Sequence, residues 1–157
     1  MYNVAIVGGF SATESEDSDE IKMLSTIDGY DTYLPFNMDN ANKVSFKRIK
    51  FTKGVNYNFY KAGAGDCEFL KCEFSHASNW GHGSGGTYYG TKNTKMYFTD
   101  CLFANNLCGY TANDRDNGGL GAHISTFERV YFTNCRFVLN GNKQENILMN
   151  LDLVLEV

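Results

Sequence analysis

Apolar and polar positions along this chain fall into one phrase that returns four times: an apolar residue, a spacer, Phe, two spacers, Ile or Cys, a spacer and Phe. The copies occupy residues 44–51, 67–74, 96–103 and 130–137. Within each half of the phrase apolar and polar residues alternate, as a strand with one buried face requires. The two-residue interruption marks a bend that carries the next apolar pair back inward. Copies start 23, 29 and 34 residues apart, so the phrase stays rigid while the chain between copies lengthens. A coil whose turns repeat their strands and vary their loops behaves this way. The pattern therefore predicts an all-β fold: a single-stranded right-handed parallel β-helix, or solenoid, of about five to six rungs, its handedness following the general preference of parallel crossovers.

The rest of the chain is organised around those copies as one domain, with residues 1–42 as opening rungs and an acidic loop, 43–142 as repeats, and 143–157 as a terminal strand or cap. Val4, Ala5, Ile6 and Val7 read as a first strand closed by Gly8 and Gly9, and residues 11–20 form a Ser-rich run carrying Glu14, Glu16, Asp17, Asp19 and Glu20. Thr26, Ile27, Asp28 and Gly29 mark a short strand and turn, and Leu34, Phe36 and Met38 alternate inward. Two inserts stand out, 77–94, rich in Gly and aromatics, and 107–126. The alternation of Leu151, Leu153, Leu155 and Val157 favours a last strand over an amphipathic helix. Some element must cover the end of such a coil: this tail, a second copy associating end to end, or a continuation of the coil in a longer chain.

Composition narrows the function classes. The net charge of −4 offers no basic footprint for nucleic acid, and no apolar stretch is long enough to span a membrane. The first ten residues lack the basic start and apolar run of a secretion signal. Five cysteines include no C-x-x-C pair, which argues against a zinc site or a thioredoxin-like motif. Cys72, Cys101 and Cys135 share one repeat position and are expected to stack as buried, reduced thiols; the spacing of adjacent rungs also permits a disulfide between two of them.

A second pattern lies between the strands. Phe103 to Asn106 and Phe137 to Asn140 are F-x-x-N, and Gly118, Gly119 and Leu120 form a G-G-aliphatic element between them. This resembles the repeat of polymorphic outer-membrane proteins and related bacterial surface β-helices. Upstream, Val7 to Phe10 with Thr13 and Glu14, then Thr26 to Gly29, then Ile49 to Gly54, looks like the segment that precedes such repeats in many secreted bacterial proteins. The chain departs from the pattern at Ala77, where Asn is expected, and at Thr87 after Gly85 and Gly86. The resemblance implies a secreted or cell-surface protein of the adhesin or passenger type, meeting a glycan or a host surface.

Pectate lyases and polygalacturonases share this type of coil, which makes catalysis an alternative to binding. Arg48, Ile49 and Lys50, and Gly81, His82 and Gly83, match short polygalacturonase motifs, but their order is reversed and the chain has no adjacent Asp pair. Acids for a polysaccharide lyase, hydrolase or phage-type depolymerase would be Glu68, Glu73 and Asp100, none with obvious apolar cover to raise a carboxyl pKa. Asp114, Asp116 and Gly118 open like a calcium loop without its closing acid, so no metal and no cofactor is expected. Outward strand positions stack into two columns, Ser45, Glu68, Tyr97, Tyr131 and Lys50, Glu73, Leu102, Arg136. The aromatics of the first column, together with Trp80, His82, Tyr88 and Tyr89 of the Gly-rich insert, form the expected ligand-binding set, because exposed rings stack on sugars. Binding without catalysis is the expected activity.

Overall fold

The computed structural model describes residues 3–9, 24–39, 43–79, 87–89, 94–108, 122–125, 129–142 and 147–153. Among these the fold is all-β, built on three parallel sheets. Strands are numbered in chain order. The first sheet stacks β1 (Asn3–Val7), β4 (Lys43–Lys47), β7 (Asp66–Leu70), β11 (Lys95–Thr99) and β15 (Arg129–Thr133). The second stacks β2 (Ser25–Asp28), β5 (Ile49–Thr52), β8 (Glu73–Ser75), β12 (Leu102–Ala104) and β16 (Cys135–Asn142), and the end of β16 carries it on to β13 (Leu107–Cys108) and β9 (Ser78–Asn79). The third holds β3 (Phe36–Asp39), β6 (Phe59–Ala62), β10 (Thr87–Tyr89) and β14 (His123–Ser125). The chain visits the three sheets in rotation, and each return lays a strand parallel to its predecessor. The tail strand β17 (Ile147–Leu153) instead pairs antiparallel with β16.

Two bends per copy create this rotation, and both use left-handed backbone. Between the first and second sheets sit Arg48, Lys71, Asp100 and Asn134, with φ of 58, 53, 53 and 51°. A second bend, after β5, between β8 and β9, between β12 and β13 and within β16, is made by Lys53, His76, Asn105 and Leu139, with φ of 51, 58, 55 and 52°. One residue in that region redirects a strand abruptly; Asn adopts it readily, whereas other side chains do so at about 1–2 kcal/mol. The first bend thus comes from the two-residue interruption of the repeated phrase, and the second follows two residues after its closing Phe.

Register places identical repeat positions over one another. Phe46, Phe69, Phe98 and Phe132 form one stack, with successive ring centroids 5.2, 5.0 and 4.9 Å apart. Phe51, Phe74, Phe103 and Phe137 form another, at 5.3, 4.9 and 4.6 Å. The stacks meet edge to face, as between Phe98 and Phe103 at 5.4 Å, and Phe36 and Phe59 add a parallel pair from the third sheet at 5.3 Å. Both geometries suit the ring quadrupole, and full burial of each ring contributes about 1.5–3 kcal/mol. Ile49, Cys72, Cys101 and Cys135 are buried beside them. The three thiols are free, and each points at a backbone carbonyl of the preceding copy: Cys72 at Phe46 (3.5 Å), Cys101 at Phe69 (3.5 Å) and Cys135 at Phe98 (3.3 Å). Burial pushes the Cys101 thiol well above its ordinary value.

The second bend encloses a ladder of carboxamides. Asn140 accepts from the Asn106 backbone N–H (3.2 Å) and side-chain Nδ2 (2.9 Å), and donates to the Phe103 carbonyl (2.8 Å). Asn106 in turn accepts from the Ala77 N–H (3.1 Å) and donates to the Phe74 carbonyl (3.0 Å). The next slot belongs to Ala77, which has no amide. Asn58 supplies one: its Oδ1 accepts from the Gly54 N–H (2.8 Å), and its Nδ2 donates to Asn106 Oδ1 (3.1 Å) and to the Ser75 carbonyl (2.8 Å). The departure from the repeat at Ala77 is therefore compensated in space.

Candidate functional site

The outer face of the first sheet carries the most chemistry among the described residues. Alternation along β4, β7, β11 and β15 turns Ser45, Glu68, Tyr97 and Tyr131 outward at one register position. Lys43, Asp66, Lys95 and Arg129 occupy the column beside it, and Lys47, Leu70, Thr99 and Thr133 the column on its other side. Tyr97 and Tyr131 stack with centroids 4.9 Å apart and planes 4° from parallel, both half-buried. Cross-strand packing fixes this pair face to face, which leaves preorganised ring edges with a hydroxyl on each ring.

Each acid considered for catalysis is engaged by a neighbour. Glu68 pairs with Lys43 at 2.8 Å, which holds the lysine above its usual value through hydrogen bonding and charge. Glu73, on the second sheet, pairs with Lys50 at 2.8 Å and accepts a hydrogen bond from the Ser75 hydroxyl at 2.7 Å. Asp100, at the first bend, accepts from Asn134 Nδ2 at 2.6 Å. Glu68 and Glu73 thus belong to different sheets, and neither is paired with another acid, the arrangement that glycoside hydrolysis would exploit.

The expected aromatic set is divided rather than assembled. Tyr97 and Tyr131 are on the first sheet, whereas Tyr88 and Tyr89 are in β10 of the third. Residues 87–89 are strand and not part of a loop: Tyr88 is in register with Lys61 and Ile124, and Tyr89 with Ala62 and Ser125. Lys61 is fully buried, and its ammonium donates to the carbonyls of Gly63 and Ala64, each at 3.0 Å. Trp80 and His82 lie outside the described residues.

One aromatic feature is not evident from the repeats. Tyr30 and Tyr33 are 75% and 70% exposed on a tight turn after β2. The only hint in the sequence is a pair of tyrosines spaced by Asp31 and Thr32 directly after Gly29, a composition that marks a turn without showing where the rings point.

Among the described residues no cluster of three or more His, Cys, Asp or Glu is arranged to hold a metal ion, and no helix is long and apolar enough to cross a membrane. Comparison of the chain with protein-family profiles, curated proteins and solved structures finds no match.

Proposed function

We propose that this chain is a right-handed parallel β-helix of the kind found in polymorphic outer-membrane proteins, and that it acts as a non-enzymatic, adhesin-like module, secreted or at a cell surface, that binds glycan. Rotation of the chain through three parallel sheets supports the coil, and the general hand of parallel crossovers supplies its sense. The observation that carries the binding role is the outward Tyr97–Tyr131 stack. The two rings lie face to face one strand apart, so the pair offers its ring edges, hydroxyls and outer faces for contact, and the neighbouring Glu68, Lys95 and Thr99 offer hydrogen bonds to hydroxyls. Stacking of about 1 kcal/mol per ring makes a single site weak, so affinity would come from many copies along a surface.

The test is a glycan-binding screen of the wild type and the Tyr97→Ala/Tyr131→Ala variant, alongside an assay for new reducing ends or unsaturated products. Loss of both rings is expected to weaken binding roughly 30-fold, the equivalent of about 2 kcal/mol. Unchanged binding would remove this face from consideration. Turnover abolished by Glu68→Gln, Glu73→Gln or Asp100→Asn would replace the binding role with the lyase or hydrolase alternative.

A further inference from the structure

We propose that the turn at residues 29–33 is a separate contact site for neutral carbohydrate, with Tyr30 and Tyr33 as its stacking rings. Tyr30 and Asp31 are consecutive left-handed residues, with φ of 52 and 55°. That pair of conformations belongs to turns dominated by Gly, Asn and Asp, and a bulky aromatic adopts it at a cost. Packing offers no return: Tyr30 is 75% exposed and Tyr33 70%. Ring-to-ring contacts among the described tyrosines join Tyr57 to Tyr60 and Tyr97 to Tyr131, and leave Tyr30 and Tyr33 out.

The turn that carries them is nevertheless held firmly. The Tyr30 N–H donates to Asp28 Oδ1 (2.8 Å), and the Thr32 and Tyr33 N–H groups both donate to the Gly29 carbonyl (3.0 and 2.9 Å). The Thr32 hydroxyl donates to the Tyr30 carbonyl (3.1 Å). Three further links tie the turn to the next rung: Asp31 N–H to the Lys53 carbonyl (2.8 Å), Val55 N–H to the Tyr33 carbonyl (3.1 Å), and Lys53 Nζ to Asp28 (3.1 Å). The Tyr30 hydrogen bond, followed by Lys53, holds the Asp28 carboxyl below its usual range. Gly29 closes the base so tightly that a Cβ there would stand 2.5 Å from the Tyr33 carbonyl oxygen. Two rings that the fold does not pack are thus presented on a rigid support, which lowers the entropy lost on binding.

The surroundings select the ligand. Asp28, Asp31, Thr32 and Lys53 flank the rings, while among the described residues the other exposed large apolar ones, Val4, Val7 and Leu139, belong to β1 and β16. A protein partner needs a contiguous apolar patch from which water is excluded. A sugar needs one ring under its C–H face and polar groups at its hydroxyls, which is what the turn supplies. Lys53 is matched by Asp28, and Asp31 leaves the site without excess positive charge, so a neutral polymer fits better than an acidic one.

The experiment compares full-length wild type, Tyr30→Asn, Tyr33→Ser and the double variant by thermal melting and by retention on cellulose, chitin, xylan and polygalacturonate in affinity electrophoresis. The expected result is an unchanged or higher Tm for Tyr30→Asn, together with roughly tenfold or greater loss of retention on a neutral polymer in the double variant. The proposal is overturned by a lower Tm for Tyr30→Asn, by undiminished retention in the double variant, or by a wild type that is held by polygalacturonate alone or by none of the four. The Tyr97→Ala/Tyr131→Ala variant run in parallel keeps failure here distinct from failure of the first-sheet reading, on which this site does not depend.

Discussion

Replacing Asn58 by Ala tests whether the carboxamide ladder is filled by spatial position rather than by repeat position. Asn58 is fully buried and makes three side-chain hydrogen bonds, to Gly54 N–H, the Ser75 carbonyl and Asn106 Oδ1. In Asn58→Ala the Ser75 carbonyl keeps the Lys53 N–H and Asn106 Oδ1 keeps the Ala77 N–H. The Gly54 N–H is left as a buried orphan, at about 1–3 kcal/mol, and the two other bonds contribute about 1 kcal/mol each. The expected loss is therefore about 3–5 kcal/mol, or roughly 10 °C in Tm for a chain of this size. Ala77→Asn alone should also destabilise, by about 1–3 kcal/mol, because a second carboxamide would compete for an occupied slot. In the Asn58→Ala background the same Ala77→Asn change should restore at least half of the loss, since an amide at 77 can reach the Gly54 N–H and Asn106 Oδ1. Urea unfolding followed by far-UV circular dichroism and by tyrosine fluorescence measures all four proteins, with coincident transitions and a constant m-value as the condition for comparing free energies. A loss below 1 kcal/mol in Asn58→Ala, or an Ala77→Asn effect of the same sign in both backgrounds, would refute the compensation.

Two further outcomes follow from the backbone and the core. Leu139 occupies a left-handed bend, with φ of 52°, where Asn105 serves the preceding copy, so Leu139→Asn should raise the unfolding free energy by about 1 kcal/mol; a decrease in the urea midpoint would show that its side chain contributes more than the strain costs. Burial pushes the Cys67 thiol up to about 12, from 9.0. A raised folded-state value means that the stabilisation is fully present below pH 9 and is lost as pH rises towards 12. Cys67→Val, which matches Val44 and Val130 in its column, should therefore gain on the wild type by about 1.4 kcal/mol per pH unit above 9, and an unfolding-energy difference that stays flat from pH 8 to 10.5 would contradict this.

The four copies make much of the scaffold legible in sequence, because alternation and identical spacing force like residues into register. Both Phe stacks and the free-thiol column follow from that logic, whereas β1 and the strand character of the tail are read from their own apolar residues. The third sheet is harder to read. Its strands are three or four residues long, too short for a periodic signal, and Lys61 occupies a buried position that hydropathy assigns to solvent. Tyr88 and Tyr89 consequently read as loop residues beside Trp80, although β10 places them in a sheet. Asn58 is illegible in the sequence for a different reason: its slot is set by the fold around Gly54 and Ala77, not by any interval along the chain. The exposure of Tyr30 and Tyr33 depends on two consecutive φ angles, which no residue type at those positions announces.

Repetition creates an ambiguity during folding, since copies with the same Phe and Cys positions can pair in the wrong order almost as well as in the right one. The large-small match of Asn58 with Ala77 acts as an address label against that error. If the first copy stacked directly on the third, the Asn58 carboxamide would meet Asn106 in a slot with room for one amide, and the misordered pairing would carry a clash or an unpaired polar group. A position where the repeat is imperfect is thus where the chain can tell its own turns apart.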